Sequence, residues 1–319
     1  MTTMTNEHAL TAEQLAEFEQ NGFLILRGIV PQDVRDEVQH VFEAVVDKLA
    51  TAWHDEGLLS STYADEPFEK RFMKMRAELP SRFPTSWRKA LVSEPVFALW
   101  QRPELLGPIR SIMGDEVYAH GVWNGRPREP HTSVQKIAWH QDAHYYKGWN
   151  PGDGKLVSMW MPLVPVTAES GCLQLIPGSH TRGYIDRIRD ERNLFTVADA
   201  ELEGATVVTA EMNPGDALIF TDLTLHQALL NEADFVRWSI DIRFGSATEE
   251  IISKTPRGYH CFSASDPAKV ESFQTWEGRY NYDAVGLDAE IEDFEERPQR
   301  DLDEVAAELH ISRTELEVF

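Results

Sequence analysis

Ala138-Trp139-His140-Gln141-Asp142-Ala143-His144-Tyr145-Tyr146 sets two histidines and an aspartate close together among aromatic residues. Its conformation decides the fold. Wound as a helix, it puts His140 and His144 on one face at i, i+4, as in a zinc metalloprotease. That chemistry needs a glutamate directly after the first histidine, and here the residue is Gln141. Extended as a strand, it points His140, Asp142 and His144 to one side, because side chains alternate. An imidazole and a carboxylate two residues apart then fill adjacent positions around a metal. A third ligand must come from a distant strand.

The surrounding pattern favours the strand. Val157–Val166, Cys172–Ile176, Ala205–Ala210, Ala217–Phe220 and Val236–Phe244 are short runs rich in β-branched and aromatic residues. Gly, Pro, Asn and Asp separate them, the mark of a sandwich or barrel. Before about Glu116 the period is helical. Thr11–Asn21 reads as a capped helix closed by Gly22, and Phe23–Leu26 as a buried strand. Pro31–Leu49, Trp87–Leu99 and Pro103–Met113 read as further helices. The expected architecture is mainly β with a helical layer.

His226 is the best third ligand, since it follows the strand that starts at Gly215-Asp216. Two histidines and a carboxylate on one face leave three positions open, the pattern of non-haem Fe(II) oxygen chemistry. Arg237 lies eleven residues further on in Arg237-Trp238-Ser239. A forked guanidinium on a buried strand needs an anion. Either a nearby acid, Asp234 or Asp241, or a dicarboxylate co-substrate supplies one.

Composition narrows the partners. The chain has 319 residues, 42% hydrophobic, with a formal net charge of -23. That charge disfavours nucleic acid and anionic membranes, whose binding is led by Lys and Arg. No apolar run reaches membrane-spanning length, and Met1–Leu10 lacks a secretory pattern. Two cysteines, Cys172 and Cys261, make no disulfide framework and suit the cytoplasm. Cys172 reads as a small core residue. Asp301–Leu316 reads as helix, turn, helix, but its acidic charge opposes DNA binding. Nothing in the chain sets an oligomeric state.

With Trp139-His140-Gln141-Asp142, Ser170-Gly171-Cys172-Leu173-Gln174-Leu175-Ile176-Pro177-Gly178-Ser179-His180, Asn213-Pro214-Gly215-Asp216, His226 and Arg237 in this order, the sequence resembles the phytanoyl-CoA dioxygenase family. The similarity covers about residues 15–247. It implies a double-stranded β-helix, the jelly-roll or cupin-like core, in a domain over 1–250 that includes the N-terminal helices. Residues 251–319 would form a C-terminal extension, an aromatic cover followed by an acidic helical tail. The resemblance implies Fe(II), 2-oxoglutarate and O2 as metal and co-substrates. It implies His140, Asp142 and His226 as iron ligands and Arg237 as the partner of the far 2-oxoglutarate carboxylate, helped by Ser239. Trp160 matches a tryptophan that lines the co-substrate pocket, and Gln135 is a further co-substrate candidate. Ala228 departs from members with a hydroxyl at that position. The Pro177–His180 turn reads as structural, pinned by His180.

The expected reaction is hydroxylation of a small organic metabolite, with release of succinate and CO2. Asp142 argues against halogenation, since related halogenases carry a small residue there. Desaturation or cyclisation by the same centre is the alternative, as is a cupin-like metal enzyme that does not use 2-oxoglutarate. No basic cluster suited to coenzyme A is visible. An amino acid, amine or natural-product intermediate is expected instead. His144, Tyr145, Tyr146, Trp149 and Trp123 are the candidate substrate contacts, and the aromatics would suit a cationic head group. Trp276–Tyr282 is a candidate lid.

Overall fold

The computed structural model describes residues 6–80, 87–132, 137–145, 156–190, 195–247 and 257–280. Helix α1 (Ala12–Asn21) starts at a capping box. The Gln14 N–H donates to Thr11 Oγ1 at 3.2 Å, and the Thr11 N–H donates to Gln14 Oε1 at 2.9 Å. Gly22, at φ 79°, ends the helix and turns the chain into β1 (Phe23–Leu26).

Helix α2 (Gln32–Asp55) buries Val34, Val38, Phe42, Val45, Leu49 and Trp53 along one stripe. It outruns the expected end at Leu49 and stops before Gly57, at φ 73°. Helix α3 (Phe68–Glu78) was not expected; its apolar face is narrow, with Phe72 and Met75 buried. The long helix expected over 87–99 is reduced to α4 (Glu94–Ala98). Ser93 is extended and Pro95 permits only a helix start there. Helix α5 (Pro103–Met113) has the expected bounds.

Strands follow: β2 (Glu116–Ala119), β3 (Asn124–Arg128), β4 (Ile137–His140), β5 (Leu156–Pro162), β6 (Leu173–Leu175), β7 (Ile188–Arg189), β8 (Phe195–Thr196), β9 (Val208–Ala210), β10 (Ala217–Thr221), β11 (His226–Ala228), β12 (Arg237–Ser246) and β13 (Tyr259–Ser263). Among the described residues they form an antiparallel large sheet ordered β1-β10-β5-β12-β2-β13, with β3 also on β12. A smaller sheet runs β4-β11-β6-β9, and β7 pairs β8.

Alternation along β5 and β12 separates two cores. Met159, Met161, Trp238, Ile240, Ile242 and Phe244 pack outward against the helices. The Trp238 ring lies 5.0 Å from Phe68, 5.6 Å from Phe42 and 5.3 Å from Trp87. On the other side, Trp160, Leu218 and Phe220 meet Leu173, Leu175 and Ala228 of the small sheet. Helices, large sheet and small sheet stack as three layers, and the two sheets form the expected jelly roll.

The 257–280 segment belongs to the outer side. β13 extends the large sheet, and Trp276 of helix α6 (Phe273–Gly278) is buried among Phe97, Trp100 and Trp123. This packing sets Trp276 and Tyr280 against the helical layer instead of over the inner face. Tyr282 and the acidic tail, with Asp288–Glu296 and Asp301–Leu316, lie outside the described residues. Cys172 and Cys261 are both free and buried, and burial pushes the Cys172 thiol up to about 11. Among the described residues no helix is long and apolar enough to cross a membrane.

Candidate metal centre

His140 and His226 are neighbours because β4 and β11 pair with these two residues in register. Their ring centroids are 4.2 Å apart. Asp142 arrives differently from the expectation. The strand ends at His140, and Asp142 opens a 3-10 turn, Asp142–Tyr145. The turn brings Asp142 Oδ1 to 3.8 Å from Nε2 of each histidine. One ligand atom from each of the three residues lies within 4.8 Å of the others.

Each donor is aimed by a hydrogen bond behind it. His140 Nδ1 lies 2.8 Å from the Ala138 carbonyl and His226 Nδ1 2.9 Å from that of Thr224. A carbonyl only accepts, so both Nδ1 atoms carry hydrogen and both Nε2 lone pairs face the centre. Asp142 Oδ2 accepts from Ser158 Oγ at 2.5 Å and Arg243 Nε at 3.2 Å, which leaves Oδ1 toward the histidines. Arg243 is held in turn by Asp241 Oδ2 at 2.6 Å.

Burial lowers His140 to about 3 and lowers His226, so both rings are neutral near pH 7. Burial pushes the Asp142 carboxyl up, but Arg243 first, then His226 and His140, outweigh it and hold the group ionised. Two neutral imidazole nitrogens and one carboxylate oxygen on one side, with no thiolate, fit Fe(II).

The same turn decides His144. Its Nδ1 accepts from the Gln141 N–H at 3.4 Å and its Nε2 donates to the Ile185 carbonyl at 2.9 Å. The ring is thus committed to the backbone and does not share the face of His140 and Asp142. Gln141 is a buried strap: its Nε2 donates to Gly183 and Leu223 carbonyls, and its Oε1 accepts from Ile185 N–H.

Arg237, Ser239, Asp241 and Arg243 alternate along the inner face of β12. Arg237 is buried and donates from Nη1 to Ser239 Oγ at 2.6 Å. Among the described residues its Nε has no hydrogen-bond partner. The nearby acids are engaged elsewhere: Asp234 with Lys70 at 3.0 Å, and Asp241 with Arg126 and Arg243. Burial, then Arg128 and Arg126, lower Arg237 well below its ordinary value. A buried guanidinium with an orphaned donor fits an incoming carboxylate. Trp160 flanks it, with its ring centroid 5.2 Å from Arg237 Cζ.

Tyr145 is at the centre, edge-on to His140 at 5.7 Å. Trp123 is not. It sits in the outer core and donates from Nε1 to Tyr280 Oη at 2.6 Å. Gln135, Tyr146 and Trp149 lie outside the described residues. Sequence reasoning missed Ser158 and Arg243. Polar residues at every second position of Arg237-Trp238-Ser239-Ile240-Asp241-Ile242-Arg243 were the available signal.

The other recurrent motifs are structural. His180 Nε2 donates to the Glu19 carbonyl at 3.0 Å, tying the Gly178 turn to α1. Asp216 accepts from Asn213 N–H, Gly28 N–H and Arg27 Nη1, closing the turn before β10.

A jelly roll that gathers two histidines and a carboxylate on its inner face, beside a buried guanidinium, defines a non-haem metal oxygenase site. The sequence profile of phytanoyl-CoA dioxygenase (PhyH) matches residues 18–239. The chain belongs to that family. It is 25% identical to the human peroxisomal phytanoyl-CoA dioxygenase over 253 residues, covering 76% of this chain and 70% of that one. It is 27% identical to the ectoine dioxygenase of Sphingopyxis alaskensis over 289 residues, covering 83% and 87%. Among solved structures it resembles the non-heme alpha-ketoglutarate-dependent carbocyclase SnoK of nogalamycin biosynthesis. The TM-score is 0.56 at 19% identity, covering 83% of this chain and 91% of that one.

Proposed function

We infer that this protein is an Fe(II)- and 2-oxoglutarate-dependent dioxygenase that hydroxylates a small organic metabolite. The observation that carries the reading is the convergence of His140 Nε2, His226 Nε2 and Asp142 Oδ1 beside the orphaned donor of Arg237. The bound metal, with 2-oxoglutarate and O2, supplies the oxidation, converting R–H, O2 and 2-oxoglutarate into R–OH, succinate and CO2.

The chain's residues prepare that chemistry. His140, His226 and Asp142 would hold the metal, as a two-histidine, one-carboxylate set that leaves room for co-substrates. Ser158 and Arg243 restrain the Asp142 carboxylate, so that one oxygen faces the metal. Arg237, steadied by Ser239, anchors the far carboxylate of 2-oxoglutarate, and Trp160 walls that pocket. Burial of the triad and of Arg237 excludes water from the reacting centre.

The test is oxygen-dependent release of succinate from 2-oxoglutarate by the Fe(II)-loaded protein, run beside His226→Ala. Turnover in the wild type that is lost in the variant supports the reading. Equal turnover in both refutes it.

A further inference from the structure

The inner face of the β3–β12 pair carries more positive charge than the inferred metal and co-substrate use. Arg128 pairs in register with Arg237, Arg126 with Ser239 and Asn124 with Asp241. A Cβ added at Gly125 would strike Leu91 and Phe42 of the outer core, so Gly125 faces the helices. Arg126, one residue on, therefore faces inward. Four guanidinium groups, those of Arg126, Arg128, Arg237 and Arg243, thus line this wall against the carboxylates of Asp241 and Asp142. Fe(II) and the 2-oxoglutarate dianion offset one another, and the positive surplus remains.

Arg126 is placed to use it. Its Nε donates to Asp241 Oδ1 at 2.5 Å, and among the described residues Nη1 and Nη2 make no hydrogen bond. Its side chain is 38% exposed, whereas that of Asp241 is 5% exposed. The ion pair fixes the stem of the fork and leaves its open end accessible. Arg126 pairs with Ser239, the residue that steadies Arg237, which sets it beside the co-substrate anchor.

Two further arginines stack on an aromatic ring beside the centre. Tyr145 touches His140 on one side and Phe195 on the other, at 5.3 Å. The Phe195 ring carries Arg187 at 3.8 Å and Arg189 at 4.3 Å. Two guanidinium groups thus already cover the Phe195 ring and leave it no room for a cationic head group.

We propose that Arg126 binds a carboxylate of the primary substrate, so that the enzyme acts on small organic acids or amino acids in preference to amines. This rests on the dioxygenase reading above. The same chemistry would suit the metal-proximal carboxylate of 2-oxoglutarate, so the test separates the two.

The experiment uses the anaerobic protein loaded with Fe(II) and saturating 2-oxoglutarate, followed by its visible charge-transfer band. The probes are the standard L-amino acids and short carboxylic acids, each beside its primary amide. The expected result is that certain acids perturb the band and their amides do not. In Arg126→Gln that binding weakens at least about tenfold, as for a lost charge-assisted hydrogen bond, with unchanged affinity for 2-oxoglutarate. Arg126→Lys, which retains the charge, recovers part of it.

The proposal is overturned if amides bind as well as acids, if Arg126→Gln binds the acids undiminished, or if no acid perturbs the band. It is also overturned if the variant loses 2-oxoglutarate affinity instead, which would assign Arg126 to the co-substrate. Absence of the band in the wild type would refute the dioxygenase reading itself, a result distinct from all of these.

Discussion

Arg237→Met is expected to stabilise the unliganded protein while it removes co-substrate binding. Arg237 is 1% exposed, its Nε lacks a partner among the described residues, and the sequence-adjacent acids are paired elsewhere. Arg128 faces it across the strand pair, which adds like charge. Replacing buried ionic groups by apolar side chains of similar volume is often neutral or stabilises by about 1–4 kcal/mol, and a charge without a counter-ion lies at the favourable end. For a chain this large each kcal/mol moves Tm by about 2–4 °C. Thermal unfolding without ligand should therefore show Arg237→Met higher by several degrees. Adding 2-oxoglutarate and a divalent metal should raise the wild-type Tm and leave the variant unmoved. Loss of one partner of a buried charge pair costs about 3–5 kcal/mol, so the affinity should fall by two orders of magnitude or more. A variant that is less stable without ligand and still binds 2-oxoglutarate would refute the reasoning, because Arg237 would then be a satisfied structural residue.

Three further outcomes follow from the same contacts. Ser158→Ala and Arg243→Met each remove a hydrogen bond to Asp142 Oδ2. Each should weaken Co(II) or Fe(II) binding by about 10–100-fold, as outer-shell changes usually do; calorimetric affinities within twofold of wild type would contradict this. His120 and His140 are lowered by burial from 6.5 to about 3, and His144 to about 4. The unfolded chain binds these protons first, so their contribution is present above about pH 6.5 and is lost as pH falls toward the folded values. The metal-free protein should lose on the order of 1–2 kcal/mol per histidine by pH 5, and urea melts that coincide at pH 7 and pH 5 would contradict it. Gly22→Ala forces a Cβ at φ 79° to within 2.7 Å of Thr224 Oγ1 and onto the His180 ring. It should cost about 2 kcal/mol or more, and an unchanged Tm would show that the α1–His180 junction yields freely.

Much of this site was legible in the sequence because strand alternation is a strict rule. His226 follows a strand and Arg237 heads another, and both face the interior as their spacing implied. The strand reading failed at one residue. Pairing with β11 ends at His140, and the strap made by Gln141 commits the chain to a 3-10 turn. Asp142 still reaches the centre, but His144 is diverted to Ile185. No local pattern announces this, since the partners of Gln141 and His144 lie some forty to eighty residues away. Trp123 was misassigned for a similar reason: its neighbourhood in sequence is the metal motif, but its neighbours in space are Trp100, Trp276 and Tyr280. Helix α3 was hidden by a charged run in which few positions are buried.

The central claim is that the triad and Arg237 together hold a metal and a 2-oxo dicarboxylate. Its most direct test is anaerobic titration of 2-oxoglutarate into the Fe(II)-loaded protein, read by the visible charge-transfer band of a 2-oxo acid chelated to Fe(II). The wild type should develop the band, His226→Ala should lack it, and Arg237→Met should need far more 2-oxoglutarate to reach it. Iron bound without a band would contradict the co-substrate assignment, and a protein that binds no iron would contradict the account of His140, Asp142 and His226 altogether.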